Sequence, residues 1–191
     1  MKNREYKNYD LYIKHQKTKT LLPQVQKIKP EKYKKRVKKF KQRFSFLSRF
    51  TPADSNVLCL GARRGEEIEA LMSLGYKAQG IDLVAFPPHV IAGDFHNLPF
   101  DSDSFDLVYS NAVDHVFDLE KFAKEALRVV KRRGFLLFHL ALDIWSEEMS
   151  LGMDSSLEML KCFKDIKVVK DEKIKAFGGG LNHILFIKKL R

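Results

Sequence analysis

The apolar positions of the chain change rhythm near residue 56. Before that point Tyr33, Val37, Phe40, Phe44 and Leu47 recur every three or four residues, the spacing of one helix face. Pro30 suits the first turn of that helix, because its missing N–H has no partner there anyway. Further upstream Tyr6, Tyr9, Tyr12 and His15 stand three apart, as one face of a shorter helix or as a capping lid. After residue 56, short apolar runs alternate with helical patterns, which is how a parallel sheet with crossover helices reads in sequence.

The runs fall at Val57 to Leu60, Lys77 to Leu83, Val90 to Gly93, Phe105 to Ser110 and Phe135 to Leu142. The last of these is almost wholly apolar, as a strand buried on both faces should be. Between them, Glu66 to Leu74 and Leu119 to Val130 carry helical stripes, stopped before Gly75 and Gly134, and glycine commonly ends a helix. Ser155 to Phe163 reads as a last helix. Ile166 to Val169 and Ile184 to Ile187 read as closing strands, with Gly178-Gly179-Gly180 as a flexible link between them. The prediction is an α/β fold, with a basic, aromatic helical extension over residues 1–50 and one domain over 51–191.

Charge sharpens that division. Residues 1–50 hold 17 Lys and Arg against 3 Asp and Glu, while the remaining 141 hold 18 against 21. Lys32, Lys35, Arg36, Lys38, Lys39 and Arg43 crowd the face opposite the apolar stripe. A solvated basic face is the simplest reading of them, with nucleic acid, an acidic substrate or an anionic membrane as the alternatives. The two cysteines, Cys59 and Cys162, are too few for a disulfide framework or a thiolate metal site, and no metal is expected. No run reaches the roughly 18 apolar residues of a membrane span. The expected setting is intracellular and cytoplasmic.

Val57-Leu58-Cys59-Leu60-Gly61-Ala62-Arg63-Arg64-Gly65 reads as strand, glycine turn and helix start. Glycine there permits close backbone approach, and free amides at the helix start favour a negative ligand group. Asp82 ends the next strand 21 positions after Gly61, where ribose hydroxyls can be bound. A dinucleotide fingerprint needs glycines at 61, 63 and 66, and two of these positions are Arg63 and Glu66. Too little chain remains for a separate substrate domain besides. Asp114 and His115 follow the fourth strand; His115 reads either as a general base or as a pocket wall. His96, His139 and His183 lack metal-ligand spacing and read as packing or surface residues, and Cys162 as a structural thiol.

With these residues in view, the chain resembles the class I S-adenosylmethionine-dependent methyltransferases, particularly the type 11 branch, over residues of about 56 to 140. That branch has an acid-x-Gly-x-Gly-x-Gly turn followed by an acid at the end of strand two. The run Gly93-Asp94-Phe95-His96-Asn97-Leu98-Pro99-Phe100, with Phe105-Asp106-Leu107-Val108 after it, is similar to its Asp-x-x-x-Leu-Pro-Phe and Phe-Asp blocks. Asp114-His115-Val116 and Glu125-Ala126-Leu127-Arg128-Val129-Val130-Lys131 are similar to its strand-four exit and following helix. Three departures stand out: Cys59 for the turn's acid, Arg63 for its middle glycine, and Lys131-Arg132-Arg133-Gly134 for Lys-Pro-Gly-Gly.

The resemblance implies a Rossmann-like, mostly parallel seven-stranded sheet with helices on both faces, and S-adenosylmethionine as cofactor. It implies that Gly61, Ala62 and Gly65 surround the methionine end and that Asp82 accepts from the ribose. By the same token Asp94 accepts from the adenine amine, Leu83 and Phe95 flank the ring, and Ser110 and Asn111 line the site near the sulfonium. Asp114 and His115 are the catalytic candidates. The acceptor pocket would be built by the N-terminal extension and by the loop from Asp143 to Asp154, with Trp145, Met149 and Met153. The implied activity is methyl transfer to an acceptor the sequence does not identify. The alternative is a methyltransferase-fold binding protein without catalysis, holding nucleic acid or a protein through its basic segment. Oligomeric state is not legible.

Overall fold

A computed structural model describes residues 2–178 and 180–191, leaving aside the side chains of Gln24 and Gln26. Gly179, at the middle of the expected glycine link, lies outside the described residues. In chain order the elements are β1 (Lys2–Asn3), α1 (Tyr9–Leu21), α2 (Pro23–Gln26), α3 (Pro30–Phe44), β2 (Asn56–Leu60), α4 (Glu66–Met72), β3 (Lys77–Asp82) and β4 (Val90–Ala92). There follow β5 (Phe105–Ser110), α5 (Leu119–Val129), β6 (Val130–Leu140), β7 (Leu151–Gly152), α6 (Ser156–Leu160), β8 (Ile166–Phe177) and β9 (Leu181–Lys189). Short 3-10 turns occupy Ser45–Arg49 and Val113–His115.

Seven strands form one sheet in the order β4-β3-β2-β5-β6-β9-β8. The pairs among β4, β3, β2, β5 and β6 are parallel, and only β9 runs against its neighbours. Successive side chains of a strand point to opposite faces, and the core divides accordingly. Leu58, Leu60, Val108, Leu136 and Phe138 pack with Phe122 and Ala126 of α5 and Met159 of α6. Val57, Cys59, Leu107, Tyr109 and Leu137 pack with Phe40 and Phe44 of α3 and with Ile68 and Leu71 of α4. Helices therefore cover both faces.

The apolar stripe read at 33 to 47 is part of this second layer. Phe44 is 1% exposed and meets the Tyr109 ring edge-on at 4.9 Å. Leu47 is fully buried in the 3-10 turn that continues α3. Each such side chain contributes roughly 1.5–3 kcal/mol by leaving water. The closing strands are longer than the sequence reading: Ile166–Phe177 and Leu181–Lys189 replace two four-residue runs. β8 is an edge strand, and its outward Lys and Glu side chains hide the alternation while protecting the edge from pairing with another chain.

The strand order reverses between β2 and β5, and such a switch point opens a crevice at the carboxyl ends of the strands. Leu60 stands opposite Ser110 there, and the Ser110 hydroxyl donates to the Leu60 carbonyl at 3.0 Å, clipping the two strand ends together. The site lies directly above this clip.

Candidate cofactor and acceptor site

A cavity of about 530 Å³ opens over the switch point. Its floor is the turn after β2. Gly61 has φ +70°, and a Cβ there would come within 2.6 Å of the Ala112 Cβ, so the turn and the β5 exit approach as closely as only glycine allows. Gly61, Ala62, Asp82, Leu83, Phe95 and Asn111 all reach the cavity wall. Asp82 accepts from the Arg63 N–H at 3.0 Å and from the Val84 N–H at 3.2 Å. Burial pushes its carboxyl above the ordinary value, against the pull of those N–H groups and of Arg63. It is therefore more than a surface strand-end acid: it holds the turn as well as facing the cavity.

Three residues expected at the ligand stand elsewhere. Gly65, at φ +80°, is the N-cap of α4, and a Cβ on it would face Ile68 and Val90 rather than the cavity. Ser110 is spent on the clip and also accepts from the Ala112 N–H at 3.2 Å. Asp94 is covered by α1. The Tyr9 hydroxyl donates to its Oδ2, while its Oδ1 accepts from the His96 backbone N–H at 2.8 Å and lies 3.0 Å from His96 Nδ1. The His96 Nε2 accepts from the Asp118 N–H at 3.2 Å, which leaves the ring proton on Nδ1, facing Asp94. Burial would raise the Asp94 carboxyl, but the bonds from His96 and Tyr9 outweigh it and hold it below its ordinary value.

The tyrosines spaced by three resolve into this cover. Asn8 caps α1 by accepting from the Leu11 N–H, and the helix then lays Tyr9 and Tyr12 across His96 and Phe117. Tyr12 is 1% exposed. Tyr6 bonds to His15 at 2.7 Å and to Ser150 at 2.9 Å, and Gln16 donates to Ser150 at 2.8 Å, so α1 is fastened to the loop before β7. β1 pairs with β7 in the same place. Ser146, Glu148 and Met149 of that loop line the cavity; Met153 and Trp145 do not, Met153 being in the core and Trp145 lying over Gly152.

Asp114 and His115 share the cavity wall, with His115 Nε2 3.8 Å from Asp114 Oδ2. Asp114 Oδ1 is buried without a hydrogen-bond partner among the described residues. Lys19 of α1 brings its ammonium to 3.4 Å from His115 Nδ1 and donates to the Glu148 carbonyl. Burial, with Lys19 and Arg63 adding to it and Asp114 opposing, holds the imidazole below its ordinary value and hence neutral at pH 7. Burial likewise pushes Lys19 down to about 8. The basic face of α3 also turns inward in part: Lys32, Lys35, Arg36 and Lys39 line the cavity mouth. His139 is packed, accepting or donating at Tyr109 at 2.9 Å, and His183 pairs with Asp171. Among the described residues no group of three or more His, Cys, Asp or Glu is placed to hold a metal ion.

The start of α4 carries Glu66 and Glu67, 4% and 3% exposed. Glu66 is paired with the Arg64 and Arg36 guanidinium groups, whereas Glu67 lines the cavity. The sequence gives little warning of this, because acids in a first helical turn ordinarily serve the helix dipole. Tyr9, Tyr12 and Lys19 were visible only as spacing and charge.

Sheet order, switch-point cavity and strand-end acid define the class I S-adenosylmethionine-dependent methyltransferase fold. Residues 58–138 match the family model of the methyltransferase domain. S-adenosylmethionine is the cofactor of this class. No curated protein matches the chain. Among solved structures, 1,6-didemethyltoxoflavin-N1-methyltransferase of Burkholderia thailandensis, with 1,6-didemethyltoxoflavin and S-adenosylhomocysteine bound, superposes with a TM-score of 0.73 at 12% identity, over 99% of this chain and 94% of that one. The putative methyltransferase in complex with the Trm112 activator of Haloferax volcanii gives 0.61 at 17%, over 84% and 94%. An S-adenosylmethionine-dependent methyltransferase of Methanosarcina mazei gives 0.61 at 15%, over 76% and 97%. These likenesses concern the fold.

Proposed function

We propose that the chain is an active methyltransferase, that its cofactor rests on Gly61, Ala62, Asp82, Leu83, Phe95 and Asn111, and that α1 with the residues before it caps this site while α3, although within residues 1–50, belongs to the core of the domain beneath. The observation that carries the reading is the Asp82 carboxylate inside the switch-point cavity, with lone pairs left for two ribose hydroxyls. The bound cofactor supplies an activated methyl group. The protein's part is then to align a nucleophile and exclude water, which suits a site closed by α1 and the loop before β7. His115, neutral and beside Asp114, is placed to take the proton of an oxygen or nitrogen nucleophile. The ammonium groups at the mouth favour an acceptor bearing negative charge, nucleic acid included. No observation favours the non-catalytic alternative, since the turn that departs from the family keeps an open cavity.

Asp82→Ala should weaken S-adenosylhomocysteine binding by at least about tenfold, the loss of one charge-assisted hydrogen bond. Because the carboxylate also holds the turn, the unliganded variant should lose about 1–3 kcal/mol of stability. Asp106→Ala is the matched control: its carboxylate serves the Asn56 N–H and Lys131 at the opposite end of the sheet. Calorimetric titration of the two variants decides, and equal affinity of Asp82→Ala and the parent would sink the assignment.

A further inference from the structure

Two adjacent acids at the start of α4 have opposite fates. Glu66 receives the Arg64 guanidinium at 2.7 Å and the Arg36 guanidinium at 3.2 Å. Glu67, 3% exposed, lines the cavity and makes no ion pair or hydrogen bond to another side chain among the described residues. A carboxyl taken out of water with only its own backbone N–H to bond it is costly when charged, and such a group in a ligand cavity calls for a cation that arrives with the ligand. Its neighbour in the sheet is Cys59, which is fully buried and stands where the related turns carry an acid. Arg63, next along the turn, also lines the cavity, and its guanidinium has no partner among the described residues. The wall thus offers one carboxyl and one guanidinium, not hydrogen-bonded to each other among the described residues.

We infer that Glu67 and Arg63 form a receptor for an amino-acid zwitterion: Glu67 takes the α-ammonium of the cofactor's methionine end and Arg63 takes its α-carboxylate. This rests on the cofactor reading above and explains two departures of the turn together. The acid absent at Cys59 is supplied from the helix behind it, and the arginine in the glycine position gains a ligand contact in return for its strained φ of +46°.

Burial, reinforced by Glu66, pushes the Glu67 carboxyl up to about 8. The groups that face it account for this. Cys59 and Tyr109 from the sheet are themselves raised and bring no positive charge. Asp82 adds repulsion, and Arg63 gives the one opposing side-chain charge. From α3, Arg36 is engaged by Glu66, while Lys32, Lys35 and Lys39 stand at the mouth. Lys19, Asp114 and His115 lie on the cavity's other wall. Glu67 is therefore protonated at pH 7 without ligand. An ammonium beside it favours the charged form, so binding expels a proton to solvent.

The test is calorimetry at pH 7 in two buffers of different ionisation enthalpy, with S-adenosylhomocysteine and with its analogue bearing hydrogen in place of the α-amino group. The parent should release close to one proton with the first ligand and bind the second at least tenfold more weakly, with no release attributable to Glu67. Glu67→Gln should lose the release and at least tenfold in affinity for S-adenosylhomocysteine, yet bind the deaminated analogue as the parent does. Arg63→Ala should weaken both ligands and keep the proton release. Equal affinity and release in Glu67→Gln, or equal release with the deaminated analogue in the parent, overturns the ammonium assignment; the second comparison needs no variant to fold. Undiminished binding by Arg63→Ala overturns the carboxylate assignment. A parent that binds no S-adenosylhomocysteine at all would instead remove the cofactor reading.

Discussion

The two long N-terminal helices share a basic, aromatic composition but are attached to the domain by different means. α3 inserts Phe40 and Phe44 among Tyr109, Phe177 and His139, so its stripe is part of the core. α1 buries Tyr12 but is fastened largely by polar contacts: Tyr9 to Asp94, Gln16 to Ser150, and Lys19 to the Glu148 carbonyl, with Tyr6 just before the helix also on Ser150. A helix held by packing is inseparable from the fold, whereas one held by a few hydrogen bonds is a cover with its own, smaller stability. Similar composition thus conceals one structural and one site-closing element.

The largest effect that tests this contrast is Phe44→Ala. Removal of a fully buried ring should cost about 3–5 kcal/mol in denaturant unfolding, and a loss below 1 kcal/mol would place α3 with α1 as a mere cover. Tyr9→Phe should cost less, about 1.5–3 kcal/mol, the range for a hydrogen bond to a charged group. That difference should depend on pH. The Asp94 carboxyl lies lower in the folded protein than in the unfolded chain, so its contribution is present above the unfolded value and is lost as pH falls through the folded one. Parent and Tyr9→Phe should differ fully at pH 7 and converge only as pH falls below the ordinary carboxylate range; a constant gap would mean that the hydroxyl acts on something other than the carboxylate. Smallest is Arg63→Gly. Relief of a left-handed φ at a non-glycine residue should raise the thermal midpoint of the unliganded protein by an amount equivalent to about 0.5–1 kcal/mol, even as ligand affinity falls. A lowered midpoint would show that Arg63 stabilises the turn itself.

The fold was legible because its signals are local. Apolar runs and stripes placed β2, β3, β5 and α5 within a residue or two of their observed bounds and α3 from its first residue, its stripe running on to Leu47 in the 3-10 turn, and Gly61 and Asp82 followed from spacing. What escaped depends on contacts between distant residues or on burial. Tyr9 and Asp94 are 85 positions apart, and nothing in either neighbourhood signals that one occupies the other. Glu67 looks in sequence like any acid in a first helical turn; the packing of α4 between the sheet and α3 takes it out of water. Ser110 sits one position before Asn111, yet the alternation of the strand turns its hydroxyl to the Leu60 carbonyl while Asn111 reaches the cavity.

His96 joins three segments through one ring: Asp94 in the loop after β4, Tyr9 of the cover, and the N–H of Asp118 at the start of α5. Groups so connected do not respond independently, and the effects of substitutions at Tyr9, Asp94 and His96 should fail to add. The consequence extends to ligands. Whatever draws the Asp94 carboxylate toward the cavity must loosen α1, and by thermodynamic reciprocity whatever loosens α1 changes the affinity for that ligand by the same factor. The roof of the site is in this sense a second binding partner of its floor, carried on the same chain.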